Sequence, residues 1–97
     1  MKLVEWSEDS IFSLQSIYDY IFIESPQNAN FVVDTLLDLG EKLNVFPEKN
    51  PKEPLYNSEK IRFFPKWNYK IIYSIEENRI YILDVFSTLQ HYRRIKI

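Results

Sequence analysis

The sequence predicts an α+β fold: an N-terminal strand, an antiparallel helical hairpin, then a three-stranded antiparallel meander. Three observations carry that expectation. Apolar residues recur at three- and four-residue steps over the first half of the chain, they alternate with a period of two over residues 61–86, and a cluster of prolines separates the two regimes. Helices followed by strands, rather than a regular alternation of the two, mark the α+β class.

Leu3-Val4-Glu5-Trp6 is short, rich in strand formers and alternating in polarity, so it opens the fold as a strand, either at the sheet edge or between other strands. Ser7 stops it. A serine directly before Glu8 and Asp9 is suited to cap a helix, because its hydroxyl accepts from a free backbone N–H while the two acids sit at the positive end of the helix dipole. Ile11, Leu14, Tyr18, Ile21 and Phe22 then share one face of a helix of about four turns, the face expected to be buried. Ser25-Pro26 ends that helix and opens a second, since proline at the first helical position gives up an N–H that has no intrahelical partner.

The second helix has Ala29, Val32, Val33, Leu36, Leu37 and Leu43 on its apolar side and turns Asp34, Asp38 and Glu41 away. So short a connection makes the two helices antiparallel neighbours. Gly40, the only glycine, lies one turn past Leu36 on the same stripe, where the missing side chain is expected to let the helices approach closely.

Pro47, Pro51 and Pro54 cannot continue a helix or sit in a central strand, so they mark a loop. Beyond it, Ile61 to Phe64 reads as a strand and Pro65-Lys66-Trp67-Asn68 as a turn. Tyr69 to Ile75 is a longer strand with Tyr69, Ile71, Tyr73 and Ile75 on one face and Lys70, Ile72 and Ser74 on the other. Glu76 to Arg79 is a tight turn with Asn78 suited to the left-handed conformation, and Ile80 to Phe86 returns as the last strand. The tail, Ser87 to Ile97, is polar and then basic. Neither side of the proline loop has enough apolar residues for a separate core, so one domain is expected over residues 1–97.

Composition narrows the chemistry. With 45% hydrophobic, 27% charged and 16% aromatic residues the chain has the make-up of a soluble globular protein with large side chains for its core. The absence of cysteine excludes a disulfide framework, a thiolate metal site and a cysteine nucleophile. His91 is the only histidine and has no second histidine at ligand spacing, and a single glycine excludes a glycine-rich phosphate loop. A Gly-x-Ser-x-Gly elbow is missing too, which disfavours a serine triad. No metal and no cofactor are expected. Glu5, Glu8 and Asp9 stand where a signal peptide needs an apolar run, and no apolar segment approaches the roughly 20 residues that span a bilayer. The expectation is a cytoplasmic protein without membrane contact.

The net charge of −2 hides an asymmetry: residues 1–47 carry two basic and eight acidic side chains, residues 48–97 ten basic and six acidic. The basic half holds Lys60, Arg62, Lys66, Lys70, His91, Tyr92, Arg93 and Arg94. Such a set suits RNA, since arginine and lysine hold a phosphate while histidine or tyrosine moves a proton or stacks on a base. The plainer reading is that Arg62 and Lys70 face water from a one-sided sheet. Phe12, Ile23 and Phe31 fall off the main apolar faces of their helices and, with Arg93 and Arg94 in the tail, are the candidates for holding a partner.

The order of elements and several local strings resemble the RelE/ParE superfamily of toxins from type II toxin-antitoxin systems. The strings are Val4-Glu5-Trp6-Ser7, Ser25-Pro26, Pro47, Asn68-Tyr69-Lys70-Ile71-Ile72-Tyr73 and Ile82-Leu83-Asp84-Val85-Phe86, and the likeness spans nearly the whole chain. The resemblance implies a growth-inhibiting toxin of the kind tied to plasmid stabilisation, silenced by a cognate antitoxin. It implies one of two targets, the ribosome, on which messenger RNA is cut, or DNA gyrase, which is blocked by protein contacts. It puts Lys70 on the family's basic strand position, usually arginine, and Arg62 near a basic position of the preceding strand. His91-Tyr92 is similar to the terminal histidine or tyrosine of ribosome-dependent members, but Leu89 stands where many relatives have arginine. A sequence pI near 5.4 weakens any gain from counterion release on RNA, and lysine at position 70 grips a phosphate less well than arginine. The expectation leans therefore to a non-nucleolytic ParE-like toxin that acts by binding protein and has no direct specific contact with DNA. The alternatives are a ribosome-dependent endoribonuclease using Arg62, Lys70, His91 and Tyr92, and a degenerate relative that no longer poisons.

Overall fold

Ser7 decides where strand becomes helix. The structure, a computed structural model, describes residues 1–88. Its first strand β1 (Leu3–Trp6) ends at Ser7, whose hydroxyl accepts from the Ser10 N–H at 3.0 Å and donates to the Leu83 carbonyl at 2.8 Å. Helix α1 (Glu8–Phe22) follows, with Glu8 and Asp9 in its first turn as the dipole favours. Ser25 repeats the device: its hydroxyl accepts from the Asn28 N–H at 3.1 Å and Pro26 opens α2 (Pro26–Glu41).

Strands β2 (Ile61–Lys66), β3 (Tyr69–Ile75) and β4 (Arg79–Ser87) form the antiparallel meander, and the sheet order is β1-β4-β3-β2. β1 lies at the edge and runs parallel to β4, Leu3 opposite Arg79 and Trp6 opposite Ile82, so the sheet is mixed rather than wholly antiparallel. The helical hairpin, β2 and β3 all lie between these two strands in sequence, a connection long enough for a parallel neighbour.

The helices cover one face of the sheet. Leu14, Val32, Leu36 and Leu43 meet Ile71, Tyr73, Ile80, Ile82 and Val85, with Tyr69 and Ile75 packed at the margin, which is the face of β3 that its period of two predicts. In β4 that period breaks. Ile72 stands opposite Asp84 and Tyr73 opposite Ile82, so Leu83 is an extra residue that lets both Ile82 and Val85 point inward. The bulged residue is the one whose carbonyl takes the Ser7 hydroxyl.

Helix α1 is rotated from its expected setting. Ile11 and Phe22 are exposed, at 56% and 46%, while Ser10, Ser13 and Leu14 are buried and Ile17 and Ile21 pack against the core. The cause is a pair of satisfied hydroxyls: Ser10 Oγ donates to the Ser7 carbonyl at 2.7 Å and Ser13 Oγ to Asp84 Oδ1 at 2.5 Å. Two small side chains let the helix lie close on β4, and burial of a hydroxyl carries little penalty once it is bonded. On α2, Ala29, Val32, Leu36 and Gly40 are buried as expected, but Leu37 stays at the surface.

Gly40 makes room for a strand residue and not for the other helix. A Cβ there would collide with Cη2 and Cζ2 of Trp6 and come within 3.1 Å of Ile82 Cδ1. The indole lies in that notch and its Nε1 donates to Glu41 Oε2 at 2.6 Å.

The turns are tighter than the sequence suggests. Pro65 is in β2, opposite Lys70, which an edge strand tolerates because no further ladder needs its missing N–H. The β2–β3 turn is only Trp67-Asn68, and Trp67 takes the left-handed conformation with φ 52°. Asn78 does not take it; the β3–β4 turn is instead held by the Glu76 N–H on the Arg79 carbonyl at 2.9 Å and by Arg79 Nε on Glu76 Oε1 at 2.7 Å.

Gly40→Ala is expected to lower stability by about 1–3 kcal/mol, the usual penalty for overpacking, read as a lower midpoint in urea. Trp6→Phe in the same chain should recover part of that loss, because the smaller ring retreats from the notch.

Candidate functional site

Lys70 and Arg62, the two described cations that an RNA-cutting site would need, are on opposite faces of the sheet. Directly paired residues share a face, and Arg62 pairs with core-facing Tyr73 whereas Lys70 pairs with Pro65, three residues farther along each strand. Each is engaged by the loop between α2 and β2. Lys70 Nζ lies 2.6 Å from Glu53 Oε1 and 4.3 Å from the centre of the Phe63 ring, and the Glu53 side chain is fully buried. The other carboxylate oxygen of Glu53 accepts from the Leu55 N–H at 2.9 Å. Arg62 donates from Nη1 to the carbonyls of Asn50 at 2.8 Å and Glu48 at 3.2 Å, and from Nε to that of Glu59 at 3.2 Å.

The loop thereby wraps the β2 edge. It enters on the helix side, where the Tyr73 hydroxyl donates to the Pro47 carbonyl at 2.6 Å and accepts from Asn50 Nδ2 at 3.0 Å. It then runs along the strand, with the Phe63 N–H on the Pro51 carbonyl at 3.1 Å, Lys52 bridged to Arg62, and the Glu53 N–H on the Ile61 carbonyl at 2.9 Å. It ends by planting the Glu53 carboxylate on the far side. Burial pushes the Tyr73 phenol above its ordinary value, and burial, with Tyr20 nearby, does the same to Tyr69.

His91, Tyr92, Arg93 and Arg94 lie outside the described residues. Of the four residues expected to form a nuclease site, the two that are described are not brought together.

The helical hairpin offers a different surface. Ile11, Leu14, Gln15 and Tyr18 of α1 and Val33 and Leu37 of α2 line a groove of about 280 Å³. Apart from Gln15, these side chains carry the apolar period, and the rotation of α1 turns Ile11 and Tyr18 outward to leave the groove open. The signal in the sequence is the width of the α1 stripe, which continues through Ile17 to a second row. Phe12, Ile23 and Phe31 are exposed at 74%, 83% and 61%, and the Phe31 ring meets that of Trp67 at 5.9 Å. Glu53 and Trp67 escape a reading based on period, since one lies between prolines and the other in a turn. No described helix is long and apolar enough to cross a membrane.

The family model for the ParE toxin of type II toxin-antitoxin system, parDE, matches residues 4–92. The chain belongs to the ParE toxin family. Among solved structures it resembles the chromosomal ParDE TA system from P. aeruginosa, with a TM-score of 0.74 over 90% of this chain and 96% of that one at 19% identity. No curated protein matches it by sequence. The ParE fold of strand, helical hairpin and meander is thus shared across low identity, and the loop's hold on Arg62 and Lys70 is read from this chain itself.

Removing Lys70 alone leaves the fully buried Glu53 carboxylate without its counter-charge, so Lys70→Met should cost about 3 kcal/mol, whereas Glu53→Leu added to Lys70→Met should restore most of the loss in chemical denaturation. An ultraviolet titration should find Tyr69 and Tyr73 ionising above about 10, the ordinary tyrosine value. The folded state holds these two protons more tightly than the unfolded state does. Their contribution to stability is therefore full below about pH 10 and is lost as pH rises through the folded values, which Tyr73→Phe should lessen.

Proposed function

We propose that this ParE-family chain acts in the cytoplasm by gripping a protein, with DNA gyrase as its target, and that a cognate antitoxin silences it. The observation that carries this reading is the fate of the strand cations. A phosphate-cleaving site needs cations that converge on one point and are free to receive charge. Here Lys70 is spent on the buried Glu53 and Arg62 on three loop carbonyls, on opposite faces of the sheet. The low pI argues the same way, since docking on ribosomal RNA draws its affinity from many free cations.

The groove between α1 and α2 is the surface offered to the antitoxin. Its open apolar lining suits the apolar face of an amphipathic helix. Phe12 and Ile23, exposed on α1 and at its end, extend the apolar area available to a segment wrapped around the hairpin. The related P. aeruginosa structure is of a ParDE toxin-antitoxin system, which supports such a pairing.

Expression of the chain alone should arrest growth, and co-expression of the small reading frame beside its gene should restore it. Purified chain should stop supercoiling by gyrase while messenger RNA on programmed ribosomes stays intact. Cleavage of that message, lost on Lys70→Ala or Arg62→Ala, would overturn the reading. Val33→Glu with Leu37→Glu places charge in the groove and should weaken antitoxin binding by on the order of 30-fold or more in a direct titration.

A further inference from the structure

The tip of the β2–β3 hairpin holds a tryptophan where the backbone disfavours one. Trp67 has φ 52°, a left-handed conformation that brings Cβ against the following carbonyl and that glycine, asparagine or aspartate accepts more readily. Lys66 pairs with Tyr69 across the turn, so Trp67 and Asn68 are its two central residues. A positive φ at the first of these is most readily taken by glycine.

The turn is nonetheless firmly set. The Asn68 carbonyl accepts from the Thr88 N–H at 2.6 Å and from Thr88 Oγ1 at 3.0 Å. The indole lies beside the Phe31 ring of α2 and has the Lys66 ammonium 4.7 Å from its centre. Trp67 still shows 49% of its surface and Phe31 more than half. Glycine would close the same hairpin without strain, so closing the turn does not require the indole. A strained residue that is held rigid and shown to solvent points to a use outside the fold.

We infer that Trp67, with Phe31 and Lys66, is the surface by which this chain grips its cellular target, a protein with an apolar pocket and a carboxylate at the pocket's rim. The inference rests on the reading of the chain as a protein-binding toxin. Tryptophan is the side chain most enriched at the centres of protein interfaces, and Lys66 supplies the charge that a rim carboxylate would meet. A nucleic acid fits less well. Asp34 lies one turn along α2 from Phe31, and Lys70, three residues past Trp67, is already paired with Glu53. None of Phe31, Lys66 and Trp67 lines the α1–α2 groove, so holding the antitoxin and gripping the target are separable.

The test compares the full-length wild type with Trp67→Gly, Phe31→Ala and Lys66→Glu, each expressed alone and with the product of the adjacent small reading frame. Trp67→Gly should keep its melting temperature within about 5 °C, since relief of strain offsets the lost ring contact, and should keep its affinity for that product. Its growth inhibition should fall by on the order of 30-fold, the effect of a central interface tryptophan, with Phe31→Ala and Lys66→Glu falling in the same direction. A toxic wild type with an equally toxic Trp67→Gly overturns the inference alone. Loss of affinity for the adjacent product in any of the three folded variants also overturns it, by placing the tip inside the antitoxin interface. Quenching of indole fluorescence by single-stranded oligonucleotide in the wild type but not in Trp67→Gly overturns it in favour of a base-stacking platform. A wild type that neither slows growth nor binds the adjacent product overturns the functional reading itself.

Discussion

The seating of α1 on β4 through serine hydroxyls decides which side chains this molecule shows to its surroundings. Ser7, Ser10 and Ser13 tie the first turns of the helix to the bulged strand and to the backbone at its own start. Hydrogen bonds are directional where apolar contact is not, so they fix the rotation of the helix about its axis as well as its distance from the sheet. That rotation sends Leu14 and Ile17 inward and leaves Ile11 and Tyr18 to line the groove with Val33 and Leu37. A groove whose width is set by the fold itself is preorganised, so the helices lose little freedom when it is filled.

The far end of the chemistry is set by the loop over β2. Lysine on a strand and arginine on its neighbour are ordinary equipment for holding phosphate, yet here they serve as fasteners. Arg62 gathers loop carbonyls on the helix side and Lys70 anchors Glu53 on the other, so one segment is pinned to both faces of one sheet edge. Part of the excess positive charge of the C-terminal half is thereby internal, and the field it presents to an approaching polyanion is weaker than a count of lysines and arginines suggests.

Much of this architecture is legible in the sequence, and what is not has identifiable causes. The caps at Ser7 and Ser25, the hairpin of helices and the inward face of β3 follow from local rules, because capping and periodicity are decided within a few residues. The rotation of α1 does not, since a hydropathy pattern counts serine as polar and cannot know that Asp84 and the Ser7 carbonyl wait beneath it. The role of Gly40 depends on Trp6, and the fate of Lys70 on Glu53, pairs that are distant in sequence and meet only once the sheet has formed. Pro65 reads as a turn residue because proline is barred from central strands, and only the strand order reveals β2 as an edge. The alternation of β4 is interrupted by a bulge whose purpose lies in another element, the start of α1.

The dipeptide that crosses from one face of the β2 edge to the other, Lys52-Glu53, is bracketed by Pro51 and Pro54. Each ring locks one backbone torsion and also narrows the choices of the residue before it. The unfolded segment therefore has few shapes to surrender on docking. An unpaired strand edge is an invitation to other newly made copies, and a strap stiffened in advance withdraws that invitation early. The two prolines then serve as much against self-association as for stability.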